Sequence, residues 1–110
     1  MPTLDRTERA QLDDVLGRMV AEFEPERIYL YGSRARGDTR PGSDWDLMVI
    51  VSSSVEPGYR RDQRAIRALG TVPFPAHVTV WTADEFDSRR HLVASFPATI
   101  EREGELLYTR

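Results

Sequence analysis

The chain has 110 residues, 40% of them hydrophobic and 30% charged, which predicts one ordinary globular domain spanning 1–110. Its net charge of −3 argues against a dedicated nucleic-acid-binding protein, which is usually basic, and the lack of cysteine excludes disulfides and thiolate metal sites. No signal peptide is visible and no apolar run approaches the roughly 20 residues of a membrane span, so we expect a cytoplasmic protein that does not enter the membrane.

The first half of the chain predicts one helix followed by two strands. The helix carries apolar residues at helical spacing, could be capped by Asp5 or Thr7, and ends at Pro25. Its apolar stripe consists of Leu12, Val15, Leu16, Met19 and Phe23. Residues 27–31 and 46–51 predict strands separated by a polar segment rich in turn residues. Because 46–51 is almost continuously apolar, it predicts a central strand covered on both faces.

The second half of the chain adds helices and strands in alternation. Residues 59–69 predict a helix and 76–81 a third strand, after which Thr82 could cap a short helix. A further helix is predicted over 97–103, and 105–108 predict a final short strand. This order predicts an α/β (α+β) fold, a mixed β-sheet with helices packed against it.

The most informative stretch begins with Gly32 and Ser33, where the first predicted strand ends. Glycine lets backbone N–H groups approach a phosphate closely, and the serine hydroxyl can donate a hydrogen bond to a phosphate oxygen. A following helical turn would add its N-terminal dipole. Arg34 and Arg36 could neutralise a triphosphate, with Arg36 the preferred candidate. This segment therefore predicts a nucleotide-binding turn that holds phosphates.

Two carboxylates, Asp44 and Asp46, follow the Gly-Ser pair after ten residues. Side chains two positions apart on a strand lie on the same face, about 7 Å apart, so these carboxylates repel each other unless a cation lies between them. Magnesium suits such a site, because it takes one or two carboxylates and completes its shell with water and substrate phosphates. Trp45 points to the other face and is predicted to lie in the core.

Together, Gly32-Ser33 and Asp44-x-Asp46 resemble the signature of the minimal nucleotidyltransferases, members of the polymerase-beta-like nucleotidyltransferase superfamily. The resemblance extends from about Ile28 to the C-terminus. It implies the fold of that family, Mg²⁺ or Mn²⁺ at the two carboxylates, and transfer of a nucleoside monophosphate from a nucleoside triphosphate, with ATP favoured, to a hydroxyl acceptor. Short members of this family often work with a separately encoded HEPN-type helical protein, in some cases as antitoxin and toxin.

One position departs from the family's pattern. The family usually carries a third carboxylate on the third strand, which completes the metal site and helps to activate the nucleophile. By register with that pattern, this slot holds His77, with Thr79 on the same face. The histidine could act as a general base, could ligate manganese or zinc more readily than magnesium, or could simply fill a strand position. Its catalytic role is left open.

The departure leaves two main hypotheses. The first is a metal-dependent nucleotidyltransferase that modifies a protein partner or another hydroxyl acceptor. This hypothesis includes action as the antitoxin of a HEPN pair. The second is a catalytically impaired module of the same fold, which acts as an interaction subunit or antitoxin by binding alone. A third is a nucleotide sensor that binds without chemistry. The acceptor, the base preference and self-association into a homo-oligomer are left open.

Two surface features also have alternative interpretations. A basic stripe on the second predicted helix is interpreted as a solvated face, or else as a docking surface for an acidic partner or an RNA acceptor. The stripe consists of Arg60, Arg61, Arg64 and Arg67. Apolar residues near the C-terminus are predicted to be core, although some could form a partner-facing patch. These residues are Leu92, Val93, Phe96, Ile100, Leu106 and Leu107.

Overall fold

A computed structural model describes residues 6–37, 44–72 and 75–110 of the chain. The elements are α1 (Arg6–Phe23), β1 (Arg27–Tyr31), α2 (Ser33–Arg36), β2 (Trp45–Val51), α3 (Gly58–Leu69), β3 (Ala76–Thr82), α4 (Ala83–Asp87), α5 (Phe96–Glu103) and β4 (Glu105–Thr109). The strands form one sheet in the order β3-β2-β1-β4. Because β1 runs antiparallel to β2 and β4 while β2 and β3 are parallel, the sheet is mixed, and the predicted α+β fold is confirmed.

The predicted elements agree with the structure to within one or two residues at each end. Helix α2 is the helical turn expected after Gly32. Thr82 caps α4 as predicted, accepting a hydrogen bond from the backbone of Glu85. The prediction that Thr7 could cap α1 is wrong, because the helix already includes Arg6 and Thr7 lies inside it. The alternative cap, Asp5, lies outside the described residues.

Helices cover both faces of the sheet, and β2 is buried between them. On one face, α1 and α3 pack over the larger core, which contains the buried members of the predicted stripe, Leu12, Val15 and Met19. Odd-numbered β2 residues, such as Leu47 and Val49, point into this core. Even-numbered residues point to the opposite face, where Met48 and Ile50 meet α4 and α5 in the smaller core, made with Phe86 and Ile100. Burial on both faces explains why β2 reads as a continuous apolar run.

An ion pair ties α3 to α4 across the edge strand β3. Arg61 is 4% exposed, and its guanidinium donates two hydrogen bonds to the Glu85 carboxylate, at 2.8 and 3.1 Å. These hydrogen bonds from Arg61 are the main reason that the pKa of Glu85 falls from 4.5 to about 2. Glu85 also accepts a hydrogen bond from the Thr82 backbone, which completes the capping box of α4. One carboxylate therefore both caps α4 and neutralises a buried cation.

We expect Glu85→Ala to lower the free energy of unfolding by about 1–3 kcal/mol, less than for a fully buried pair because the Glu85 side chain is 43% exposed. Since the folded-state pKa is depressed, this contribution is complete above pH 4.5 and is lost as the pH falls towards about 2. Denaturant unfolding at pH 7 and pH 3 measures it. Glu101→Ala, which removes the surface pair with Arg90, is the matched control. A Glu85 effect no larger than the Glu101 effect at pH 7 would contradict the assignment.

No helix within the described residues is long and apolar enough to cross a membrane.

Candidate active site

The two carboxylates of the Asp-x-Asp motif lie at the start of β2. Asp44 immediately precedes the strand and its side chain is 48% exposed, whereas Asp46 within the strand is half-buried. Trp45 between them is 1% exposed and packs in the larger core, as predicted. Since side chains alternate along a strand, the burial of Trp45 places Asp44 and Asp46 on the opposite face, which is the face of α4 and α5.

Gly32, in the Gly-Ser half of the motif, lies against Asp46 of the Asp-x-Asp half. Tyr31 at the end of β1 pairs with Asp46, so the turn after β1 lies beside this carboxylate. A Cβ added to Gly32 would lie 2.3 Å from Oδ2 of Asp46, which is closer than two non-bonded atoms can approach. Gly32 also has a φ of 77°, in the region that favours glycine. The glycine is therefore required both by its backbone conformation and by the space that the Asp46 carboxylate occupies.

Ser33 is the first residue of α2, a helix of only four residues that ends at Gly37. The Gly32 carbonyl accepts hydrogen bonds from the backbone N–H groups of Ala35 and Arg36, at 3.1 and 3.2 Å. These bonds hold the turn in place next to the start of β2. The structure therefore brings Gly32, Ser33 and Asp46 together, as a phosphate-binding turn beside a carboxylate requires.

The two arginines of α2 have different environments. Arg34 is 8% exposed, is paired with Glu8 of α1, and has its guanidinium 3.8 Å from the centroid of the Trp45 ring. These contacts fix Arg34 as part of the packing between α1 and the sheet. The Arg36 side chain is 47% exposed, lies 3.9 Å from Glu103, and its charge acts on the Asp46 carboxylate. Arg36 is therefore the better candidate to meet a phosphate.

His77 lies beside the carboxylates on the neighbouring strand. In the parallel register of β2 and β3, His77 pairs with Asp46. Its Nε2 lies 2.8 Å from Oδ2 of Asp44, and its side chain is 65% exposed. His77 on β3 therefore completes a cluster with Asp44 and Asp46 at one end of the sheet.

The charges around Asp46 indicate what the cluster can bind. Burial is the main reason that its pKa is raised, and the neighbouring Asp44 carboxylate raises it further. Coulomb interactions with His77 and with Arg36 lower the pKa of Asp46. An added cation would stabilise the ionised carboxylate in the same way, so Asp44 and Asp46 are the residues that could hold a divalent metal ion.

The donor set fits magnesium in one of its usual modes. Within 6–37, 44–72 and 75–110, no three His, Asp or Glu side chains are grouped so that they could hold a metal ion by themselves. Two carboxylates are nevertheless the usual protein contribution to a magnesium site in which waters and substrate phosphates supply the remaining ligands. The residues therefore fit a metal ion that arrives with a phosphate-bearing substrate.

The predicted basic stripe on α3 does not form one surface. Arg61 is paired with Glu85, and the Arg64 guanidinium contacts both Glu56 and Glu22. Arg60 and Arg67 are exposed. The interpretation as a solvated face therefore applies to only half of the stripe, because the other half neutralises acidic side chains.

The C-terminal apolar residues are core only in part. Ile100 is buried as predicted, and Leu107 is partly buried against the larger core. The core prediction is wrong for four residues with exposed fractions from 39% to 77%, which are Leu92, Val93, Phe96 and Leu106. Three of them, Leu92, Val93 and Phe96, lie just before or at the start of α5. Apolarity without helical periodicity could not distinguish this surface from the core.

Comparisons with known proteins agree with this fold. The sequence profile of the nucleotidyltransferase domain matches residues 12–105. Eight solved chains match the fold. A presumed nucleotidyltransferase from Sulfolobus solfataricus has a TM-score of 0.66 and 19% identity, covering 100% of this chain and 93% of that chain. A toxin–antitoxin structure with AMP-PNP has a TM-score of 0.55 and 18% identity, covering 89% and 73%. These identities support the fold alone, and no curated protein matches the sequence.

Proposed function

Because the chain belongs to the nucleotidyltransferase domain family, we propose that it transfers a nucleoside monophosphate, with ATP as the favoured donor, to a hydroxyl group on a protein partner. The observation that carries this proposal is the fit between Gly32 and Asp46, where a Cβ would lie 2.3 Å from the carboxylate. This fit sets a turn suited to phosphates directly against a carboxylate suited to a metal ion. If the Gly-Ser turn and the Asp-x-Asp only shaped loops, nothing would require this close contact between them.

In the proposed reaction the acceptor oxygen attacks the α-phosphorus, the bond to the β-phosphate breaks, and pyrophosphate leaves. Gly32 and Ser33 would hold the phosphates, Arg36 would offset part of their charge, and Asp44 and Asp46 would hold Mg²⁺ or Mn²⁺. When bound, the metal ion neutralises charge on the phosphate oxygens. We assign the acceptor's proton to His77, whose exposed imidazole is held by Asp44, an arrangement suited to a general base.

A protein is the acceptor that the structure favours over RNA. The net charge is −3, and Arg61 and Arg64, half of the predicted basic stripe, are paired with glutamates. In contrast, Leu92, Val93 and Leu106 expose apolar surface that a protein could cover. A toxin–antitoxin structure is among the similar structures, which supports a protein partner and action as an antitoxin. That this partner is of the HEPN type and that the pair acts in the cytoplasm are parts of the proposal that come from the sequence.

The second candidate function is a binding module without catalysis, and the observation that favours it is His77. The imidazole pairs with Asp46 in the strand register. By the resemblance, this is the position where the family usually carries its third carboxylate. If the missing charge prevents the chemistry, the fold would act by nucleotide or partner binding alone.

Substitution of His77 separates the two functions. We expect His77→Asp to raise the Mg²⁺-dependent conversion of ATP to AMP and pyrophosphate by about tenfold, because an aspartate adds a metal ligand and can still accept a proton. The matched control is His77→Asn, which has the same size as the aspartate but neither property and should fall below the wild type. Release of α-labelled AMP, with water as surrogate acceptor, is the measurement. Three equally inactive proteins that still bind Mg²⁺-ATP would favour the binding module.

A further inference from the structure

Three aromatic rings lie on the carboxylate face of the sheet, next to the cluster of Asp44, Asp46 and His77. Tyr31 is the β1 residue that pairs with Asp46. Trp81 lies four residues after His77 on β3 and therefore shares its face. The ring of Phe96, the first residue of α5, stands edge-on to both, with centroids 5.1 Å from Tyr31 and 5.7 Å from Trp81.

The Tyr31 and Trp81 rings are held by packing, whereas the Phe96 ring is exposed. Tyr31 packs against the smaller core, and burial raises the pKa of its hydroxyl, so this ring is held against the sheet. The Trp81 ring is half-buried, with the Arg89 guanidinium 5.8 Å from its centroid. Phe96 is 39% exposed. An exposed ring held by two fixed neighbours can stack on a flat ligand with little loss of side-chain entropy.

The position of the exposed Phe96 ring suits the base of a nucleotide whose phosphates are bound at the turn. The phosphate-binding turn and Asp46 lie at the end of β1 and the start of β2, and Phe96 lies one side chain beyond Tyr31 from them. A nucleoside triphosphate has the same order, with phosphates at one end and an aromatic base at the other. Each nucleobase has a π-face that can stack on an aromatic ring.

We propose that Phe96, braced by Tyr31 and Trp81, is the platform on which the base of the bound nucleoside triphosphate stacks. This inference rests on the proposed function and adds a residue that determines affinity for the base. Because Phe96 has no polar group, the platform selects aromatic ligands by stacking area. We therefore expect purine triphosphates to bind more tightly than pyrimidine triphosphates.

The test compares two ligands that differ in the base. Calorimetric titrations with Mg²⁺-ATP and with Mg²⁺-tripolyphosphate, which has the phosphates alone, are made on the wild type and on Phe96→Ala, Phe96→Leu and Phe96→Tyr. We expect Phe96→Ala and Phe96→Leu to raise the Kd for ATP roughly tenfold and Phe96→Tyr to leave it close to the wild type. The Kd for tripolyphosphate should be the same in all four proteins. Trp81 fluorescence should respond to ATP and not to tripolyphosphate.

Three outcomes would overturn the inference. Unchanged ATP affinity in Phe96→Ala and Phe96→Leu would return Phe96 to the exposed apolar surface with Leu92 and Val93, as a site for a protein. An equal loss of ATP and tripolyphosphate binding in Phe96→Leu would show that the ring supports the fold instead of the base. A wild type that binds neither ligand would overturn the proposed function together with the inference, which distinguishes that failure from the first two.

Discussion

Replacement of Asp46 by Asn is expected to leave the fold intact and to abolish the stabilisation that Mg²⁺-ATP gives the wild type. Burial and the nearby Asp44 raise the pKa of Asp46, so its ionisation costs stability as the pH rises through that pKa. A neutral amide of the same shape removes this cost, and the Tm without ligand should be equal or higher. The amide is a poor magnesium ligand, so nucleotide binding should suffer.

Thermal unfolding with and without ligand measures both effects. A ligand at 100 times its Kd stabilises the native state by about 2.7 kcal/mol, which shifts the Tm of a domain of this size by roughly 10 °C or more. We expect this shift in the wild type and little of it in Asp46→Asn. The matched control is Asp13→Asn on α1, an exposed carboxylate paired with Arg9, which should keep the full shift. An undiminished shift in Asp46→Asn would remove this carboxylate from the site.

Gly32→Ala is expected to have the largest effect on stability. The alanine Cβ would lie 2.3 Å from Asp46 Oδ2, and the φ of 77° is strained for any residue with a Cβ. Backbone strain and overpacking each cost about 1–3 kcal/mol, so we expect the free energy of unfolding to fall by about 2–6 kcal/mol. Because the carboxylate must move away from the turn, Mg²⁺-ATP binding should also be lost.

Two further variants separate the causes in this prediction. Gly17→Ala, in the middle of α1, has no atom within 4 Å of its new Cβ and should stabilise the protein by about 1 kcal/mol. Adding Asp46→Ala to Gly32→Ala removes the clash but leaves the backbone strain, so it should restore only part of the lost stability. Urea denaturation of the wild type and these three variants tests this ordering. A Gly32→Ala protein as stable as the wild type would contradict the contact between the turn and the carboxylate.

Much of the fold could be predicted from residue patterns because its local signals agree. The continuous apolar run of β2 predicts burial on both faces, and β2 is indeed covered by helices on both sides. Thr82 followed three residues later by Glu85 is a capping box, and α4 begins there. Strand alternation alone predicted that Trp45 would be buried, and the structure confirms it.

The relations between distant elements could not be predicted in the same way. That Arg61 and Arg64 are engaged by glutamates while Arg60 and Arg67 are exposed depends on where α1 and α4 pack, which the spacing on α3 does not indicate. The steric contact of Gly32 with Asp46 depends on the register of β1 and β2. The roles of the candidate site residues remain predictions, and the structure gives a geometry that makes each of them testable. These residues are Gly32, Ser33, Arg36, Asp44, Asp46 and His77.

The position of Phe96 was the least predictable part of the candidate site. In the sequence it is one apolar residue among several near the C-terminus, and nothing local separates it from Ile100, which is buried. Only the placement of α5 over β1 and β3 brings its ring to Tyr31 and Trp81. The platform can be inferred only from the strand register, which places Tyr31 beside Asp46.

The measurement that tests the central claim most directly is calorimetric titration of ATP into the wild type and into Asp44→Asn, with Mg²⁺ or with EDTA. The amide introduced by Asp44→Asn keeps an oxygen that can accept the hydrogen bond of His77, so the geometry should persist. We predict Mg²⁺-dependent binding to the wild type that is lost in the variant. In EDTA the wild type should bind ATP no more tightly than the variant, because its carboxylates repel the phosphates. Equal Mg²⁺-dependent binding in both proteins, or no binding to the wild type with Mg²⁺ or Mn²⁺, would contradict the account.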